Sequence, residues 1–182
     1  MELLKQQIDE QELINACRAG KIWAQKSIYE LHAPVMLGIC VRYVENRETA
    51  RDLLQDGFIK VFTKIDSFSG TGSFEGWIRR IFVSTALEFL RRKDVLREPE
   101  SIDNIYIPDV DVSIIERISA NDLMNLVMQL PPGYRTVFNL YAIEGYSHPE
   151  IAEMMQISEN TSRSQFMRAR KLLQKQIAKN FI

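Results

Sequence analysis

The side chains with the clearest chemistry lie on one stretch near the C-terminus. Residues 160–180 include six Lys or Arg residues and no Asp or Glu. A helical period in this stretch predicts one inward face, formed by Ser162, Phe166, Ala169, Leu173 and Ile177. Because DNA phosphates repel carboxylates, a long helix without them is suited to bind between the phosphate strands.

The opposite face of this helix carries the candidate DNA-binding side chains. Polar groups in its N-terminal half can meet base edges in the major groove, and basic groups can contact phosphates. We therefore predict DNA contacts by Asn160, Arg163, Ser164, Met167, Arg168 and Lys171. The simpler alternative is an amphipathic helix whose basic face is only solvated.

The residues just before this helix predict a helix-turn-helix. A short helix with Ile151 and Met155 directed inward would precede a tight turn, and Ser158 would cap the longer helix. Gln156 occupies the turn position at which Gly is commonest, which predicts a left-handed or strained backbone there. Ser162 fills a core position at which Val or Ile is usual.

A second basic segment, residues 79–93, contains five Lys or Arg residues and one Glu. Phe68, Phe74, Trp77 and Phe82 lie in or just before it. Basic groups that hold a phosphate backbone, with rings or pockets that receive unstacked bases, are typical of single-strand binding. Helical spacing alternatively predicts that Trp77 and Phe82 are mostly core.

The familiar sequence signs of an enzyme are missing. His32 and His148 belong neither to an H-E-x-x-H motif nor to a cysteine pair, so no catalytic zinc is expected. There is no P-loop and no G-x-G-x-x-G. Cys17 and Cys40 fit no C-x-x-C motif and are predicted to be buried, reduced thiols. We expect no active site, no metal and no cofactor.

Composition restricts the class further. The chain has 182 residues, of which 46% are hydrophobic and 26% charged, and its net charge is −1. This is globular composition, and any nucleic-acid surface must be local. No apolar run has the roughly 18 residues that span a bilayer, and the acidic N-terminus does not resemble a secretory signal. We expect a cytoplasmic protein without direct membrane insertion.

Charge and periodicity predict an all-α fold of two small helical domains joined by an acidic linker. Residues 94–121 carry two basic and seven acidic residues, and include two prolines. The domains would be residues 1–93 and 122–182. Helical periods without sustained strand alternation predict helices over residues 10–19, 24–44, 50–62, 73–93, 115–129, 132–143, 149–155 and 158–179.

The predicted helix over residues 50–62 has an unusual outward face. This face carries Asp52, Gln55, Asp56, Ile59 and Lys60. An apolar side chain among exposed charges is typical of a docking surface, although an ordinary solvated face is the alternative.

Two blocks of sequence together resemble one protein family. The first block reads ARDLLQDGFIKVF, then KIDSFSGTGSFEGWIRRIFVSTALEFLRRK, and resembles regions 2.2 to 2.4 of bacterial RNA polymerase sigma factors of the sigma-70 family. The second, GYSHPEIAEMMQISENTSRSQFMRARKLLQKQ, resembles region 4. Because nothing sizeable separates them, the chain is similar to the extracytoplasmic-function (ECF) subfamily. The resemblance covers about residues 22–93 and 122–176.

This resemblance implies a promoter-specificity subunit without catalysis. It implies that the outward face around Ile59 binds the clamp helices of the large subunit of core RNA polymerase, with Asp56 where Glu is usual. It implies that the C-terminal helix contacts the −35 element of promoter DNA. It implies that a base-capturing loop, residues 66–73, and the basic helix open the −10 element through Phe68, Ser73, Phe74, Arg79, Arg80, Arg91 and Arg92.

The resemblance also implies an anti-sigma factor as a partner. The acidic linker would either enter a basic channel of the polymerase or act as a flexible tether. Two alternatives come from other classes of protein. A helix-turn-helix transcriptional regulator would bind an operator without polymerase, usually as a dimer, and a small helical enzyme would need a convergent polar cluster.

Overall fold

The computed structural model describes residues 9–93 and 118–181, and in that part of the chain every regular element is helical. The chain divides into two compact units, residues 1–86 and 87–182, with the division inside one helix. The helices are α1 (Glu10–Arg18), α2 (Ile22–Tyr43), α3 (Arg47–Thr63), α4 (Phe74–Arg92), α5 (Ala120–Met128), α6 (Pro132–Phe138), α7 (His148–Met155) and α8 (Glu159–Phe181).

The predicted all-α class is confirmed, and most helix ends fall within a few residues of the prediction. One prediction was wrong in detail: the helix expected over residues 132–143 ends at Phe138 and continues as a π-helical turn, Asn139–Ile143. The predicted linker lies outside the described residues up to residue 117. Ser119 caps α5, because its hydroxyl accepts the Asp122 amide at 3.1 Å.

The first unit is held by apolar packing of α1 on α2 and of α2 on α3. Helices α3 and α4 approach closely at Gly57, where a Cβ atom would lie 2.3 Å from Cε1 of Phe82. Phe58 packs edge-on against the same ring, with centroids 5.2 Å apart. Glycine is therefore required at residue 57 by the ring that fills the space beside it.

The second unit is organised around the long helix α8, which packs against α5, α6 and α7. Its main core cluster consists of Leu126, Val127, Leu130, Tyr134, Ala169, Leu173 and Ile177. Three of these residues are on the inward face predicted for the C-terminal helix, so the helical period placed that face correctly.

Cys17 and Cys40 are free cysteines, and both are buried as predicted. Burial raises the pKa of the Cys40 thiol to about 12. Among residues 9–93 and 118–181, no group of His, Cys, Asp and Glu side chains could hold a metal ion. Within the same ranges, no helix combines the length and the apolar character needed to cross a bilayer.

Candidate nucleic-acid interface

The α7–turn–α8 segment forms the predicted helix-turn-helix. Ser147 and Glu150 form a capping box at the start of α7, in which the Glu150 carboxylate accepts the Ser147 amide at 2.8 Å. Gln156 follows the helix with φ 57° and ψ 44°, so the predicted left-handed turn is confirmed. The Ile157 amide then donates to the Ala152 carbonyl at 3.0 Å and closes the turn.

Helix α8 begins at the predicted cap, because the Ser158 hydroxyl accepts the Thr161 amide at 3.0 Å. Asn160, Arg163 and Met167 are exposed, and Met167 keeps 58% of its surface accessible. The other candidates on this helix, Ser164, Arg168 and Lys171, are partly exposed. All six predicted DNA-binding side chains therefore lie on accessible parts of α8.

Arg163 and Ser164 are both bonded within the helix. Arg163 Nε donates to the Glu159 carboxylate at 3.1 Å, one turn earlier. The Ser164 hydroxyl donates to the Thr161 carbonyl at 3.0 Å. A DNA phosphate would compete with Glu159 for Arg163, while Ser164 keeps its hydroxyl oxygen as an acceptor.

Ser162 lies in the core, as predicted, but with a partner that the sequence did not indicate. Its hydroxyl lies 2.9 Å from Nδ1 of His148, and both side chains are buried. Tyr141 stacks on the imidazole with centroids 4.4 Å apart. Burial is the main cause that lowers the pKa of His148, and Arg163 adds to the effect while Glu159 opposes it. A polar residue at a core position was the available signal, because a buried hydroxyl needs a partner.

The outward face of α3 is exposed, as its spacing predicts. Asp52, Gln55 and Asp56 are exposed, Lys60 is half-buried, and Ile59 has 63% of its surface accessible. Asn46 caps the helix by accepting the Glu48 and Thr49 amides at 2.7 and 3.1 Å. The face is therefore a polar surface on a well-anchored helix, with one large apolar side chain in it.

Residues 66–73 begin within a short 3₁₀ helix, Ile65–Ser67, and continue as a loop to the start of α4. Gly70 and Gly72 both have φ 78°, which L side chains rarely adopt. Ser73 caps α4, because its hydroxyl accepts the Gly76 amide at 3.2 Å. The guanidinium of Arg18 in α1 donates to the Phe68 carbonyl and ties the loop to the first helix. Sequence analysis missed Arg18, because a contact 50 residues along the chain leaves no local pattern.

The structure corrects one expectation about this loop. Phe68 and Phe74 are only 5% and 1% exposed, so their rings are not offered to an unstacked base. They pack with Trp77, and the Phe74 and Trp77 rings stack 5.7 Å apart. The aromatic spacing reflects a core beneath the loop, because three rings on adjoining elements bury more apolar surface together than apart.

The basic side chains of α4 lie mostly at its surface. Arg80, Arg91 and Arg92 are exposed, whereas Arg79 is partly buried and pairs with Glu75 at 3.3 Å. Arg91 and Arg92 also lie in the last turn, where the helix dipole favours positive charge. Ser84 is exposed and lies between the two groups of arginines.

Comparisons with known proteins agree with these features. Residues 28–95 match the Sigma-70 region 2 family, and residues 120–173 match the Sigma-70, region 4 family. The chain is 31% identical over 96% of its length to the ECF RNA polymerase sigma-E factor of Haemophilus influenzae, 98% of which is covered. It is 29% identical to the RNA polymerase sigma-H factor of Pseudomonas aeruginosa, with 93% and 94% covered.

A solved structure shows the same fold. The sigma factor RpoE of Bartonella quintana, in complex with the anti-sigma factor NepR, aligns with a TM-score of 0.53 at 22% identity, over 85% of this chain and 96% of that one. The two family models fall on the two blocks that carry the α3 face and the helix-turn-helix. The chain belongs to the ECF subfamily of the sigma-70 RNA polymerase sigma factors.

Proposed function

We propose that this sigma factor divides its work between α3, which binds core RNA polymerase, and α8, which binds the −35 element. The observation that carries the proposal is an exposed apolar side chain in each of two polar helix faces, Ile59 on α3 and Met167 on α8. Isolated polar faces are ordinary, but an apolar centre within a polar rim is typical of a binding surface. The functional halves would be residues 1–93 and 122–182.

The polymerase-binding surface consists of Asp52, Gln55, Asp56, Ile59 and Lys60. Its partner is the pair of clamp helices of the large subunit. Ile59 would lose its hydration on docking, and the two carboxylates would pair with basic side chains on the clamp helices. Burying one such aliphatic side chain contributes roughly 1.5–3 kcal/mol, enough to make Ile59 the main apolar contact of this surface.

The −35 surface consists of Asn160, Arg163, Ser164, Met167, Arg168 and Lys171. Arg163 and Arg168 would bind phosphates or bases, and Ser164 and Met167 would meet base edges. Arg163 would exchange its ion pair with Glu159 for a phosphate. That exposed pair is worth less than about 1 kcal/mol, so its loss costs little.

For the −10 element, Arg79, Arg80, Arg91 and Arg92 hold the phosphate backbone while the loop over residues 66–73 receives an unstacked base. Phe68 and Phe74 support this loop from below instead of stacking on DNA. Ser73 sets the start of α4 at the edge of the loop. Unstacking costs a few kcal/mol per base step, which base capture and phosphate contacts must offset.

An anti-sigma factor is the second class of partner that we propose. The comparison structure of RpoE contains one, NepR. A bound inhibitor would cover the α3 face and so prevent polymerase binding, or cover the α8 face and so prevent contact with the −35 element. We also propose a cytoplasmic location, where core polymerase and promoter DNA are available.

The test is co-purification of the full chain with core polymerase, followed by run-off transcription. Arg168→Ala should reduce transcription from a −35-dependent promoter about tenfold while core binding is unchanged. Lys26→Ala is the charge control, because it removes one exposed positive charge in the first unit, outside the surfaces proposed on α3, α4 and α8. Asp52→Arg with Asp56→Arg should give the reverse result, with core binding lost and the fold intact.

The competing function is operator binding without polymerase. Nanomolar binding of the free chain to a duplex operator, together with no affinity for core polymerase, would contradict the proposal. Weak duplex binding that strengthens when core polymerase is added would support it.

A further inference from the structure

The hydrogen bond between His148 and Ser162 joins the two helices of the helix-turn-helix. His148 is the first residue of α7, and Ser162 lies in the first turns of α8, next to Arg163 on the DNA-binding face. The Nδ1–Oγ distance is 2.9 Å, and both side chains are buried. The bond therefore connects the start of α7 to the part of α8 that would enter the groove.

Aromatic contacts fix the plane of the imidazole. Tyr141 stacks on it at an interplanar angle of 13°, and Phe166 packs edge-on against it with centroids 5.9 Å apart. Phe166 also contacts Tyr141, with centroids 4.5 Å apart. Because the ring is held from two sides, the direction of its hydrogen bond to Ser162 is held as well.

We infer that His148 is a positioning residue for promoter contact, which fixes the rotation of α8 about its own axis. Apolar packing is not directional and allows a helix to turn on its neighbours, whereas a hydrogen bond is lost when the angle changes. A turn of α8 would move Asn160, Arg163 and Ser164 relative to the groove. This role rests on the proposed contact of α8 with the −35 element.

The charged groups around His148 determine how readily its imidazole is protonated. On α8, Arg163 disfavours and Glu159 favours a protonated imidazole. On α7, the Glu150 carboxylate is bonded to Ser147. The π-helical turn presents the uncharged ring of Tyr141, with Glu144 just after it. The start of α7 adds a positive dipole end. Protonation would place a charge in this buried position next to Arg163, which favours an imidazole displaced from Ser162, so −35 binding should weaken as the pH falls.

The experiment uses the full chain with core polymerase on a −35-dependent promoter, with thermal unfolding measured in parallel. His148→Phe and Ser162→Ala each leave a buried polar group without its partner and should lower stability. The double variant removes both polar groups and should recover stability. It should still bind the −35 promoter about fivefold or more weakly, because the directional link is gone.

The conservative variant separates positioning from titration. His148→Asn keeps a hydrogen-bonding atom close to the Nδ1 position but does not titrate. It should retain −35 binding at about pH 8 and lose the decline towards about pH 5.5 that we expect of the parent chain. His32→Asn is the matched control, because it removes the other histidine, in the first unit, and should leave the decline unchanged.

Two results would overturn the inference. One is a double variant that recovers both stability and −35 binding, since the pair would then only fill the core. The other is a His148→Asn variant with the pH profile of the parent chain. If neither the parent chain nor any of the variants binds core polymerase, the proposed function is contradicted instead. The same comparison on a −35 duplex with the free chain then decides the role of His148.

Discussion

The two units hold their binding helices in different ways. In the first unit, α3 packs closely on α4 at Gly57, which leaves room for the Phe82 ring. In the second unit, α8 is packed on an apolar cluster and is also joined to α7 by the buried pair of His148 and Ser162. The contact at Gly57 depends on shape, and the contact between α7 and α8 also includes a directional hydrogen bond.

The difference follows from what each face must do. In the proposed function, the α3 face would offer one apolar side chain, Ile59, to a protein partner, and such a contact tolerates small rotations of the helix. The α8 face would meet base edges with short polar side chains, and hydrogen bonds weaken steeply with angle. We therefore expect packing changes to dominate in the first unit and polar changes in the second.

The largest effect should come from the close approach in the first unit. Gly57→Ala places a methyl group against the buried Phe82 ring and should lower the free energy of unfolding by about 1–3 kcal/mol. Both Trp residues, Trp23 and Trp77, lie in this unit, so Trp fluorescence during chemical denaturation measures it selectively. Gly38→Ala is the control, because a methyl group there meets nothing within 4 Å. If Gly57→Ala and Gly38→Ala had equal free energies of unfolding, the Phe82 ring would not limit the space beside residue 57.

Arg18 should matter next, through the loop that it ties to α1. Arg18→Ala removes the donor to the Phe68 carbonyl and should slow promoter opening about tenfold, a loss of about 1.4 kcal/mol, with little change in core binding. Permanganate footprinting of unstacked thymines at the −10 element measures opening. An unchanged footprint would show that the loop keeps its form without Arg18.

Gln156→Gly should have a smaller and opposite effect. Its backbone is left-handed, at φ 57°, a conformation that is less favourable for an L residue than for glycine by about 1 kcal/mol. The substitution should stabilise the second unit by about that amount, measured by amide hydrogen exchange in α7 and α8. Gln156→Ala should not stabilise, since alanine has the same steric penalty. If Gln156→Gly lowered the stability of the second unit, the Gln156 side chain would contribute more to stability than the relief of its left-handed backbone.

The smallest effect should be the pH dependence of stability. Burial lowers the pKa of both His32 and His148 below the ordinary 6.5, so each folded unit prefers the neutral ring. The unfolded chain then binds more protons near that pH, and the free energy of unfolding falls as the pH drops below about 6.5. His32→Asn should reduce this loss of stability in the first unit, measured by Trp fluorescence, and leave the second unit unchanged. His148→Asn should reduce it in the second unit, measured by hydrogen exchange of α8, and leave the first unit unchanged.

Much of the binding surface could be predicted from local patterns. The period of apolar residues placed the outward faces of α3 and α8, and the glutamine at a glycine position predicted the left-handed turn. These features depend on neighbours three or four residues away, which is the range over which a helix repeats. The positions of Ser158 and Ser73 at helix starts were predicted on the same local basis.

Other features could not be predicted, because they depend on partners distant in the chain. Phe68 and Phe74 look like rings available to a base, yet they meet Trp77 in the core. The end of α6 becomes a π-helical turn, which brings Tyr141 onto His148. Neither outcome follows from periodicity, because spacing alone does not say which surface another element will cover.

The sequence by itself determined the family, the helices and the faces that they expose, because these follow from residue type and helical period. Only the tertiary structure decided which aromatic rings are hidden, which arginine anchors the loop and how Ser162 finds His148. The physical reason is that packing and directional hydrogen bonds join residues far apart in the chain, here 14 and 50 positions.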